Sequence, residues 1–267
     1  GFGAALFATR YPLKWLYVIS ISVDVLGAVV SLFLSEDLTT RRQMKRPTGL
    51  WNALGNDMKG LAHALKAPVL RGLLLLWGVA SALGTSVHMY GQSLLEESLV
   101  PLGLIGIAGT VGNLLAVVPT RYAYKLENRF GQVRPVIVGG MTVPFVVGIL
   151  ATVPGHVNWG WRVLLIVLYL GLTVVMETAY PLMSEAVNAR TESHNRATVL
   201  SSSGMLFSMW MMVVFPLIGL AGDYLGLRWG MALGAALTFL ALLPISRGLT
   251  RAARDEADRR PVHTEPV

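Results

Sequence analysis

The chain has 267 residues, of which 54% are hydrophobic and 14% charged, with no cysteine and a formal net charge of +7. A soluble domain carries about 25% charged residues, so the composition argues against a water-soluble enzyme, and the lack of cysteine excludes a disulfide framework, a thiolate nucleophile and a Cys-based metal site. The basic excess lies in the gaps between apolar runs and interleaves with no aromatic RNA-reading motif, so it points to membrane topology, with the lipid bilayer as partner and no nucleic acid.

Residues 1–10, GFGAALFATR, read as the tail of an apolar helix, with no recognisable signal peptide. A hydrocarbon core of about 30 Å needs about 20 helical residues at about 1.5 Å each. Seven runs meet that need: 15–34, 72–92, 100–120, 135–154, 162–184, 197–220 and 230–246. Between the first two lies the one long polar stretch, 35–71, which carries Arg41, Arg42, Lys45, Arg46, Lys59, Lys66 and Arg71. Within it Leu50, Trp51, Leu54, Met58, Leu61 and Leu65 recur at helical spacing, with Lys59, His63 and Lys66 turned away. That pattern fits an amphipathic helix on the membrane surface or a linker helix packed on the protein. The run 100–120 has glycine at 103, 106, 109 and 112, a strip that predicts close approach of a neighbouring helix. A nucleotide-binding loop would need a preceding strand, which the pattern lacks.

Lysine and arginine alternate in density from gap to gap. Seven fall in 35–71, four in 121–134, two in 185–196 and five from Arg247 onward, whereas the intervening gaps hold only Arg10, Lys14, Arg162 and Arg228. Basic residues translocate poorly, so the dense gaps are expected in the cytoplasm. The expectation is a multi-pass cell-membrane protein with a cytoplasmic C-terminus.

Three stretches together resemble one family. Tyr124-Lys-Leu-Glu-Asn-Arg-Phe-Gly-Gln-Val-Arg134 is similar to the G-x-x-x-D-R-x-G-R-R loop of the major facilitator superfamily, matching at Arg129, Gly131 and Arg134. It departs at Tyr124 and at Asn128, which has Glu127 just before it. Arg196-Ala-Thr-Val-Leu-Ser-Ser-Ser-Gly204 resembles the opening of that family's eleventh helix, and Pro216-Leu-Ile-Gly-Leu-Ala-Gly-Asp-Tyr-Leu-Gly226 the turn from eleventh to twelfth. Residues 3–15 loosely echo 219–229, as helix five would echo helix eleven. The resemblance implies an all-α membrane protein with seven transmembrane helices. Residues 1–34 are then a remnant of an N-terminal bundle, 35–71 a cytoplasmic linker, 72–246 a C-terminal six-helix bundle and 247–267 a cytoplasmic tail. It also implies that N-terminal helices of the same protein complete the transporter, and that Glu127, Arg129, Gly131, Arg134 and Arg196 belong to a gating region.

Charge inside a membrane costs roughly 2.5–3.5 kcal/mol on insertion scales and marks functional candidates. Asp24 and Glu177 qualify, Asp24 in the first run and Glu177 in the run whose counterpart in the family lines the transport cavity. Asn113 and Glu177 each lie seven residues from one end of their runs and Ser203 six, which places all three in a layer about 10 Å deep. Such a layer suits a small-molecule substrate and coupling to protons through Glu177. A structural pairing of Glu177 with Arg196 is the alternative. Tyr169, Tyr180 and Trp210 are candidate aromatic walls or packing residues; His88, Tyr90 and Gln92 suit an outer vestibule or an interfacial helix end. Pro181 and Pro216 predict kinks within their helices.

Other classes fit less well. A retinal-type photoreceptor needs a lysine in its last helix, and 230–246 has none. Ser201-Ser-Ser-Gly204 matches an intramembrane serine protease only loosely, and His63, His88, His156, His194 and His263 form no His-x-x-x-His pair for zinc. With no ATP-binding motif, the expected function is secondary active transport of a small solute, without cofactor, metal or catalytic residue. A non-transporting scaffold fragment, or a polytopic membrane enzyme, is the alternative.

Overall fold

The computed structural model describes residues 65–154, 157–191 and 196–259, together with Ser22, Val25, Leu26 and Val29. The described residues are all helical or connecting, in seven helices: α1 (Pro68–Glu97), α2 (Leu102–Arg121), α3 (Ala123–Phe130), α4 (Val133–Thr152), α5 (Trp159–Asn188), α6 (Arg196–Leu225) and α7 (Leu227–Arg259). All but α3 are long and apolar enough to cross a bilayer, the architecture of an all-α, multi-pass membrane protein.

α1, α5, α6 and α7 are longer than the apolar runs that announced them. At about 1.5 Å per residue, the 30 residues of α1 or α5 extend about 45 Å, well beyond the hydrocarbon, because helical hydrogen bonding continues into the interface where hydropathy no longer reports it. Local chemistry sets the ends. Pro68 opens α1, where a missing N–H costs nothing, and the Asn158 side chain accepts from the Trp161 N–H at 3.1 Å to cap α5. Gly226 (φ +92°) turns α6 into α7. There a Cβ on Gly230 would strike the carbonyl oxygen of Ile218 and lie 3.0 Å from the Gly222 nitrogen, so only glycine permits this approach of α6 and α7.

α1 is the spine. It packs on α4, α5, α6 and α7, while α2 leans chiefly on α5. Leu73, Leu76, Leu83 and Val87 of α1 are fully buried and contribute to both apolar clusters, one towards the α4 start with Val136, Ala186 and Leu242, the other towards its end with Val147, Leu165 and Met231. Leu114, Val138, Phe145 and Met212 instead point outward from α2, α4 and α6, an apolar exterior suited to lipid.

Several expectations change. The polar gap 121–134 holds α3, and the tail from Arg247 continues α7 as far as Arg259. The glycine strip of α2 is not a seam along its length: a Cβ on Gly103 or Gly109 would meet open space, whereas Gly112 approaches α5, 3.2 Å from Leu170. A period of three drifts around an α-helix, so those glycines do not share one face. Pro181 and Pro216, where kinks are expected, lie inside continuous helices. Apart from its four helical positions, the first expected span lies outside the described residues, as does the amphipathic pattern except for Leu65 and Lys66, which sit in a turn.

Candidate functional site

α5 and α6 both pack on α1 but leave a cleft between them, a cavity of about 510 Å³. Each wall is a stripe at helical spacing. α1 supplies Trp77, Ser81 and Thr85; α5 supplies Glu177 and Tyr180; α6 supplies Ser203 and Phe207. A second cavity of about 330 Å³ continues from it along α1 and α5, sharing Thr85, Met176 and Glu177 and adding His88, Tyr169 and Asn113 of α2. Glu177 therefore stands at the junction, with Ser203 in one chamber and Asn113 in the other. Three residues inferred to share a depth in the membrane thus line two adjoining cavities.

Among the described residues the Glu177 carboxylate forms no ion pair or side-chain hydrogen bond, and Arg196, exposed at the start of α6, does not pair with it. The backbone beside that carboxylate is also unusual. Pro181 has no N–H to offer the carbonyl four residues back, which is that of Glu177. The Thr120 hydroxyl at the end of α2 donates to it instead, at 3.4 Å. The proline thus frees a carbonyl that ties α2 to α5 at the candidate site.

The aromatic candidates separate. Tyr180 is exposed to the cavity, its ring centroid 6.2 Å from that of Trp77 with planes tilted by 50°. Trp210 belongs to the packing between the two apolar clusters, and its indole N–H is buried with no partner among the described residues. Tyr169 is buried and its hydroxyl lies 3.1 Å from Nδ1 of His88, the rings stacked at 5.8 Å. Tyr90 is no vestibule residue: its ring stacks on Phe215 at 4.7 Å and its hydroxyl donates to the Phe215 carbonyl at 3.3 Å, joining α1 to α6. Asp24 lies outside the described residues.

The loop candidates gather at one end of the bundle. Gly131 stops α3 with φ 78° and ψ 170°, a region open in practice only to glycine. Arg129 is exposed over the Phe130 ring at 5.4 Å, Glu127 is half-buried, and Arg134 lines a polar cavity of about 520 Å³. The centre of that end is Arg190. Its Nε donates to Glu256 at 3.2 Å, and its Nη1 donates to Gln132 Oε1 at 2.9 Å and to the Ala186 carbonyl at 3.0 Å. α5, the α3–α4 turn and the α7 extension are thereby joined. At the opposite end Arg228 donates to the Val153 carbonyl and, at 2.9 Å, to Ser98 Oγ, linking the starts and ends of α7, α4 and α1.

Sequence reasoning missed Trp77, Ser81, Thr85 and Phe207 on the cavity walls, and Gln132 and Glu256 in the network. The first four carried a legible signal, polar or aromatic residues every three to four positions in otherwise apolar helices. Gln132 and Glu256 carried none, since a long-range pair leaves no local pattern. The chain has no significant match among protein-family models, curated proteins or solved structures.

Proposed function

We propose that the six-helix bundle is one half of the transport apparatus of a secondary transporter of major facilitator type. The bundle crosses the cell membrane with Arg129, Arg190 and Arg254 on the cytoplasmic side, and α1, α5 and α6 form one wall of the solute cavity. The observation that carries this reading is the Glu177 carboxylate, unpaired among the described residues, at the junction of two cavities walled by helical stripes from spanning segments. An intramembrane carboxylate facing an open space marks a solute or ion pathway. The clustering of basic groups at the Arg190 end supports the orientation, and alternating access follows from rocking this bundle against a second one. Glu177 exchanges a proton with the cavity and couples solute movement to the proton gradient.

The test is proton movement in proteoliposomes carrying an internal pH dye, challenged with a panel of small cations, neutral polyols and carboxylates. At least one class should drive a pH change through the wild-type protein, and Glu177→Gln, which mimics the protonated acid in shape, should abolish it. Should no class move protons, or should the Gln variant equal the wild type, the coupling role is wrong. Labelling of a cysteine at position 129 by an impermeant reagent from outside intact cells would overturn the orientation.

A further inference from the structure

The lining of the cavity selects a class of solute, a deduction that rests on the transport reading for its physiological meaning but not for its binding chemistry. Among the described residues, the ionisable groups on the two cavity walls apart from Glu177 are His88, Tyr169 and Tyr180, and no lysine or arginine lines either chamber. The described arginines lie outside both chambers, and Arg190 and Arg228 are engaged in their own networks. An anionic solute would find no countercharge there and would meet the Glu177 carboxylate.

A sugar-like solute would have to rely on neutral hydroxyl and amide groups. Ser81 donates to the Trp77 carbonyl of its own helix at 2.6 Å, and Thr173 to the Tyr169 carbonyl at 3.2 Å. The Tyr169 hydroxyl is engaged with His88. The polar groups left to a solute are Thr85, Asn113, Tyr180 and Ser203, one from each of four helices, and none of them carries a charge.

What the cavity does present is a carboxylate and π faces. Trp77 and Tyr180 meet at a tilt, Phe207 lines the opposite wall on α6, and the polarizable Met176 lies beside Glu177. Aromatic faces attract cations through their quadrupole, and the exposed Glu177 carboxylate places an unpaired negative charge beside them to attract a countercharge. We infer that this cavity binds a lipophilic organic cation, its positive centre at the Glu177 carboxylate and its apolar body against Trp77, Tyr180 and Phe207.

Tetraphenylphosphonium and tetraphenylborate share shape and size and differ in the sign of their charge; because the bilayer dipole potential takes up the anion more strongly, each ion needs its own empty-disc baseline. Binding of each is measured by equilibrium dialysis to the protein in nanodiscs, with empty nanodiscs subtracted. Tetraphenylphosphonium should bind saturably and tetraphenylborate only at the level of the empty discs. Glu177→Gln should weaken tetraphenylphosphonium binding about tenfold, Glu177→Asp should keep the preference for the cation, and Tyr180→Ala and Phe207→Ala should each weaken binding about threefold or more. Equal binding of the two ions, or unchanged affinity in both Glu177→Gln and the aromatic variants, overturns the assignment. The two readings fail separately. Proton movement driven by a polyol or carboxylate, without tetraphenylphosphonium binding, leaves transport standing and removes the cation site. Saturable, Glu177-dependent tetraphenylphosphonium binding without any solute-driven proton movement leaves the cation site and removes coupled transport.

Discussion

Arg190 offers the sharpest test of how the bundle end is held. Its guanidinium makes three hydrogen bonds, to Glu256, Gln132 and the Ala186 carbonyl. The pair with Glu256 is 3.2 Å apart, with side-chain exposures of 16% and 30%. Coulomb attraction at that distance and an effective dielectric of about 20 is about 5 kcal/mol. Desolvation and partial exposure reduce it towards the roughly 0.2–1 kcal/mol of exposed pairs, so a coupling of about 1 kcal/mol between Arg190 and Glu256 is expected. Arg190→Ala also loses the other two bonds and should destabilise by about 2–3 kcal/mol. For a bundle of this size that lowers the unfolding temperature by about 4–12 °C. Arg190→Lys retains the charge but not the planar fork and should recover about half of the loss. The assay is tryptophan fluorescence during thermal unfolding in a mild detergent for wild type, Arg190→Ala, Glu256→Ala and the double variant, at low and high salt. Additive single effects would show that the α7 extension is not docked through this pair; a coupling insensitive to salt would show that the attraction is not electrostatic.

Two backbone predictions accompany it. Gly131 has open space where a Cβ would stand, so the cost of Gly131→Ala comes from its backbone angles alone, about 1–3 kcal/mol, and appears as a lower unfolding temperature together with faster proteolysis between α3 and α4. Leu99 should behave oppositely. The Val100 N–H donates to the Leu95 carbonyl and the Leu99 N–H to that of Glu96, a Schellman end to α1 in which Leu99 occupies the left-handed position (φ +58°) with its side chain largely exposed. Leu99→Gly should raise stability by about 0.5–1 kcal/mol, while the β-branched Leu99→Val lowers it; a melting curve in which glycine lowers stability would refute the backbone account.

The six described spans were legible because lipid imposes one rule on every spanning segment: its backbone must be satisfied within the helix, and its side chains must be apolar for about 20 residues. That rule says nothing about the polar continuation of a helix, so the start of α1 at Pro68 and the extension of α7 to Arg259 went unread. At the site, Glu177, Asn113 and Ser203 were found by depth, a quantity that sequence supplies once helix ends are placed. Rotation about the helix axis was harder to read. It puts Tyr180 into the cavity and Trp210 into the packing, and only the contacts of α1 with both α5 and α6 decide it. The role of Pro181 was half visible: a proline in α5 was expected to perturb the helix, but the donor that satisfies the freed Glu177 carbonyl comes from Thr120, 57 residues away.

The central claim is that the surface shared by α1, α5 and α6 is a watered cavity wall and not another lipid-facing side of the bundle. The protein has no native cysteine, so single cysteines placed at Ser203, on that wall, and at Phe145, exposed on α4, report directly on the two environments. In native membranes a water-soluble maleimide should modify Ser203→Cys and leave Phe145→Cys unreacted, and tetraphenylphosphonium should slow only the first reaction. Equal protection of both cysteines, or labelling of Phe145→Cys in preference to Ser203→Cys, would place the Glu177 face against lipid and contradict the account.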